Sequence, residues 1–194
     1  MPTPNDPHRY DEYHKQLGLF ASVFAQVEAH LFVLLIVLAG VTLPIGRALF
    51  SGTRALEAIS LMRRVMTVKP PPENIRTTLE AVFAQLVLIN DIRNHVIHYG
   101  IGFAETEYVS SNAIRALSED KKREFTASPI DLHNISSDLT DANAALSYCT
   151  AVLRNKEPAS VPLAVTKAQQ RAWLYKLPEP APKGRKTRGA TQGP

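Results

Sequence analysis

The chain has one cysteine, Cys149. A lone thiol rules out an internal disulfide framework and gives no sign of an oxidising compartment; on an apolar helical face it reads as a small core residue. A signal-peptide layout is also missing, because the chain opens Met-Pro-Thr-Pro-Asn-Asp-Pro, with no basic patch leading into an apolar one. The cytoplasm is therefore the expected location. No uninterrupted apolar run is of membrane length. The stretch from Leu31 to Leu43 is broken by Gly40 and Thr42 and bounded by Glu28, His30, Pro44 and Arg47. It falls short of the roughly 18 to 20 residues a span needs, so it reads as a buried helix rather than the core of a membrane-associated protein. There is no Gly-rich phosphate loop, no Ser/His/Asp arrangement, no cluster of metal-binding carboxylates and no internal repeat. His95 and His98 have a metal-compatible spacing, but nothing completes a ligand set, so neither metal nor cofactor is expected.

What is present suits an ordinary soluble domain. A chain of 194 residues, 45% hydrophobic and 21% charged, can bury one substantial core. The charge is uneven. Lys183, Arg185, Lys186 and Arg188 against Glu179 give residues 178–194 a charge of +3 out of the total +4, so the body is nearly neutral and the tail basic. Such a tail either strengthens RNA binding through phosphate contacts or simply solubilises the terminus.

Four helix-forming stripes organise the rest. After a flexible leader over 1–9, Leu17, Phe20, Phe24, Leu31, Leu35 and Leu38 mark a helix over Tyr10 to Ala39, with Glu28 in the stripe place between Phe24 and Leu31. That carboxylate either pairs with a buried base or lies at the stripe's edge and reaches water. Gly40 and Pro44 break the pattern, and Pro44 can open a second helical segment. That segment, interrupted near Gly52, runs through Leu56, Ile59, Met62 and Met66 to the stop at Pro70-Pro71-Pro72. A third helix covers Glu73 to Tyr99. Ile101 to Ser111 and Arg123 to Thr126 read as a small hairpin, with Ser118 to Lys121 between them. Ser128-Pro129 then starts a helix through Leu132, Ile135, Leu139, Ala142, Leu146, Cys149 and Leu153, the most regular stripe in the chain. A further C-terminal helix carrying Trp173 and Tyr175 is expected within 158–177, and a disordered basic tail over 178–194. The fold class is all-α, an up-and-down bundle of four to five helices over 10–157 with a small β-hairpin after the third.

The third helix holds the most informative stretch, Arg93-Asn94-His95-Val96-Ile97-His98-Tyr99-Gly100. Ile75, Leu79, Val82, Leu86 and Ile89 set its apolar stripe, and the next two places fall on Arg93 and Val96. A guanidinium keeps its charge, so on that stripe it needs a carboxylate, a bound phosphate or a water-filled cleft at a subunit interface. His98 stands in the last turn before Gly100, where the carbonyl end of a helix favours a cation. Residues five apart point about 140° from each other on one helix, so helical geometry alone does not bring Arg93 and His98 together; fraying after Ile97 or a two-fold related copy would.

This stretch resembles the signature of the HEPN superfamily: an arginine, a polar residue directly after it, and a histidine with four to six residues between it and the arginine. Arg93, Asn94 and His98 match those positions, and the resemblance in layout covers roughly residues 15 to 155. Many HEPN proteins are metal-independent endoribonucleases of toxin–antitoxin or phage-defence systems, acting as homodimers in which the two motifs meet. The resemblance implies that Arg93, Asn94 and His98 are catalytic, with RNA as substrate and products bearing 2′,3′-cyclic phosphate and 5′-hydroxyl ends. His98 would exchange protons with the ribose 2′-hydroxyl or the leaving oxygen, Arg93 would stabilise charge on the phosphate, and Asn94 would orient the groups. His95, Glu28 and Tyr99 are accessory candidates, and an antitoxin-like protein is a further expected partner. Other HEPN proteins are catalytically silent modules that bind a nucleotide or a protein through the same cleft, which is the competing expectation.

Overall fold

The apolar stripes become helices in the computed structural model, which describes residues 7–99, 102–104, 107–112, 124–126, 128–156, 158 and 160–176. The helices are α1 (Pro7–Ala39), α2 (Leu43–Phe50), α3 (Ala55–Val68), α4 (Glu73–Tyr99), α5 (Pro129–Leu153) and α6 (Leu163–Gln169). The expected leader is thus helical from Pro7 onward, a residue that the first turn of a helix accepts readily; residues 1–6 lie outside the described part. Gly40 and Gly52, at φ +69° and +82°, turn the chain out of α1 and between α2 and α3. Both adopt the left-handed backbone that glycine takes without steric cost. Ser128 caps α5 as its sequence predicts: its hydroxyl accepts the Asp131 N–H at 3.2 Å while Asp131 accepts the Ser128 N–H at 2.9 Å.

Packing joins α1 to α3, α3 to α4, α4 to α5 and α5 back to α1. The long helices thus pack in chain order and the last closes on the first, as an up-and-down bundle requires, and the all-α class stands. Leu31, Leu35, Met62, Leu79, Leu86, Leu139 and Leu146 fill its interior. Each such side chain contributes about 1.5–3 kcal/mol by leaving water.

Two of the expected stripe positions shift by one residue. Ile92 rather than Arg93 enters the core, and Val27 rather than Glu28, so both charged residues lie at the edge of their stripes and are half-buried. At each place the neighbouring residue is apolar and takes the core position, which leaves the charged side chain at the boundary, where it reaches water. By length and composition α1 is apolar enough to cross a membrane, with a window of mean hydropathy 2.0 of which 44% is buried inside the bundle. That window is longer than the Leu31 to Leu43 run suggests, because the helix extends unbroken back to Pro7.

After α4 the chain forms β1 (Gly102–Ala104), β2 (Glu107–Ser111) and β3 (Glu124–Thr126), antiparallel in the order β1-β2-β3. The expected first strand is therefore itself the hairpin, pairing Gly102 with Val109, and the return strand adds to it, pairing Val109 with Thr126. Residues 118–121 lie outside the described part.

The C-terminal segment departs most from expectation. α6 ends at Gln169, Arg171 adopts φ +53°, and Trp173 and Tyr175 follow in irregular backbone, both buried. Fully buried Asp138 of α5 accepts the N–H groups of Leu174 and Tyr175 at 2.8 and 2.9 Å and the Gln85 side-chain amide at 2.9 Å. An extended segment that finds these acceptors off its own axis does not need a helix to satisfy its backbone. Residues 177–194, including the basic tail, lie outside the described part.

Candidate functional site

At the C-terminal end of α4 the edge-shifted residues open onto a cleft of about 470 Å³ lined by Glu28, Gly52, Thr53, Arg54, Leu56, Asn90, Arg93, Asn94 and His98. The volume is within the range of ordinary ligand pockets. α1 supplies Glu28, the α2–α3 turn and the first turn of α3 supply one wall, and α4 supplies the other.

Arg93 stands between the groups of the motif. Its Nη1 donates to Asn94 Oδ1 at 3.2 Å and lies 3.4 Å from His98 Nε2. Its guanidinium carbon sits 5.8 Å from the centre of the Phe24 ring, a cation–π contact with the aromatic floor of α1. Arginine and histidine therefore meet within one chain, without fraying, since α4 is regular to Tyr99. The expectation that helical geometry keeps them apart fails because it treats side chains as vectors at Cα; the long arginine stem reaches along the helix and closes the angle.

Among the described residues Arg93 makes no ion pair, and Glu28 shares its cleft without bridging to it. Of the accessory candidates, Glu28 is at the site. His95 and Tyr99 turn to another face, where their rings pack against each other with centroids 5.4 Å apart. Asn90, Arg54, Thr53 and Leu56 join the site unforeseen. Asn90 had a signal, lying one turn before Asn94 on the same face. Arg54 had none, because only the packing of α3 on α4 brings it there.

The chemistry on offer is anion binding beside a proton carrier. A guanidinium has five N–H donors and no acceptor, so Arg93 retains donors beyond the two contacts from Nη1. A 3.4 Å contact is at the long limit for a hydrogen bond, and a phosphate oxygen offers the same N–H a shorter, charge-assisted one. Taking that offer would leave Nε2 of the exposed His98 free to accept or return a proton.

Elsewhere the chemistry is quieter. A groove of about 520 Å³ lined by Val33, Ile36, Val37, Val41, Leu43 and Leu153 is larger but mostly apolar. Burial pushes the Cys149 thiol up to about 12, which keeps it an inert core group. Among the described residues no three His, Cys, Asp or Glu side chains cluster as a metal would need. No family model, curated protein or solved structure matches the chain.

Proposed function

We propose that the protein is a HEPN-like, metal-independent endoribonuclease of the toxin or phage-defence type. It cleaves RNA to 2′,3′-cyclic phosphate and 5′-hydroxyl ends. The observation that carries this reading is the 3.4 Å approach of Arg93 Nη1 to His98 Nε2 at the mouth of an open polar cleft. In the reaction the 2′-oxygen attacks phosphorus and loses its proton to His98, while the P–O5′ bond breaks and O5′ takes up the proton that the His98 imidazolium now carries. Arg93 donates to the non-bridging oxygens as charge gathers there, and Asn94 holds the guanidinium in place.

The working form is a homodimer in which two such clefts meet, with an antitoxin-like protein as regulator. The family resemblance supports the second copy; the contact within one chain removes the geometric need for it. A silent module that binds a nucleotide or a protein through the same cleft is the other reading, and the surplus donors of Arg93 suit it equally.

Purified protein incubated with a mixed RNA pool in EDTA separates the two. Cleavage leaving cyclic-phosphate ends, reduced about 10²- to 10⁴-fold in His98→Ala and Arg93→Ala, is the expected result. Equal activity in the variants, or no cleavage by folded wild-type protein across a broad pool, assigns the cleft to binding alone.

A further inference from the structure

Arg93 is not the only guanidinium on the cleft. Arg54 reaches it from the opposite wall, as the residue that precedes the first turn of α3. Its side chain is exposed and makes no ion pair among the described residues. Nor does it cap its own helix, since no side-chain hydrogen bond closes the α3 N-terminus. Nothing in the described fold therefore uses this charge. Gly52, at φ +82°, sets the turn that carries Thr53 and Arg54 to the cleft, and Leu56 adds an apolar surface beside them. Against the two arginines stands one carboxylate, Glu28, so the cleft is net basic even with His98 neutral.

Two permanently charged side chains lining one cleft exceed what one phosphodiester needs. Arg93 is tied to the motif by its contacts with Asn94 and His98, whereas Arg54 makes no hydrogen bond to it among the described residues. A polynucleotide strand lying in the cleft puts one phosphate at Arg93 and carries the next along the groove. Resting on the RNA reading of this site, we infer that Arg54 is a positioning residue that binds the phosphate adjacent to the scissile one, making the substrate a single strand with more than one phosphate. The arginine adds affinity for the strand and takes no part in bond breaking.

The test uses the full chain with a degenerate set of labelled 2′-O-methyl ribotetranucleotides, which lack the attacking hydroxyl. Affinity is measured across a salt series for wild type, Arg54→Ala and Arg54→Lys. Kinetics on all-ribose tetranucleotides and on dinucleotides with a single phosphodiester run beside it. Loss of one phosphate contact lowers the slope of log affinity against log salt by about 0.7. Arg54→Ala should show that drop and bind about tenfold more weakly, with KM raised and kcat retained on tetranucleotides. Dinucleotide cleavage should not change, and Arg54→Lys should restore the salt slope. Unchanged affinity and slope in Arg54→Ala, with cleavage intact, overturns the Arg54 contact and leaves the ribonuclease reading standing. A wild type that binds the tetranucleotides but never cleaves, with the slope still falling in Arg54→Ala, has the opposite meaning: the contact holds and the ribonuclease reading fails. If wild type binds none of the oligonucleotides, both fall.

Discussion

Helix α4 bears two polar clusters, one at Gln85 and one at Arg93, about 12 Å apart along its axis at 1.5 Å per residue. In the first, Asp138 takes three donors, from Gln85, Leu174 and Tyr175, and Gln85 gives a further bond to the Tyr175 carbonyl at 3.1 Å. Every partner belongs to the chain, and all but the Leu174 N–H, which is partly buried, lie out of water. In the second, both of the Arg93 hydrogen bonds leave from one nitrogen, and the cluster faces an open cleft. A saturated polar cluster in the interior fastens segments together, and one with donors to spare at the surface is receptive to something else. The same helix thus holds a fastening and a site, told apart by the supply of acceptors.

Substitutions should split along that line. At the cleft, Arg93→Ala and His98→Ala cost the full 10²- to 10⁴-fold in cleavage while shifting unfolding free energy by less than about 1 kcal/mol, read by urea titration beside the activity assay. At the fastening the pattern inverts. Asp138→Ala strands the buried Tyr175 N–H, the partly buried Leu174 N–H and the Gln85 amide, so it should lower stability by about 2–4 kcal/mol. Loss of near-ultraviolet signal from Trp173 would accompany it. A variant as stable as wild type would show that the C-terminal segment needs no fastening.

The third contrast is in pH. Burial raises the Asp138 carboxyl above its ordinary value, opposed by the hydrogen bonds from Leu174, Tyr175 and Gln85. A raised folded value means that the protonated form is the one folding favours. That contribution is complete below the unfolded value near 4 and drains away as pH climbs through the folded value. Relative to Asp138→Asn, which does not titrate, wild type should lose stability as pH rises through this window. A constant difference between the two unfolding series would contradict the assignment. The smallest effect belongs to Gly52→Ala. A Cβ there meets no atom within 4 Å, so its cost of about 1 kcal/mol is backbone strain alone at φ +82°. A weaker grip on RNA should accompany it, because the turn sets where Arg54 stands.

What was legible in the chain was whatever repeats along a helix. The stripes through Leu79, Leu86, Leu139 and Leu146, the Ser128 cap, the break at Gly52 and the stop at the triple proline all read locally, and the bundle follows from them. Arg93, Asn94, His98 and Glu28 could be nominated because each interrupts an apolar pattern or follows one that does, and the cleft brings all four together. Arg54 could not, since its relevance depends on how α3 lies against α4. The Asp138 fastening was equally silent. In a single sequence nothing connects an aspartate in the middle of α5 with amides more than thirty residues later, and helix propensity around Trp173 argued for the wrong backbone.

The pairing of α1 with α5 also bears on how the chain is made. The longest helix, α1, leaves the ribosome before α5, the helix it packs against, and about 90 residues separate the end of one from the start of the other. At elongation speeds of about 5–20 residues per second, α1 waits roughly 5–20 s for that partner. During the delay Leu31, Leu34, Leu35 and Leu38, all interior in the finished bundle, have only α3 and nascent neighbours for cover. A slower ribosome lengthens that exposure and a faster one shortens it.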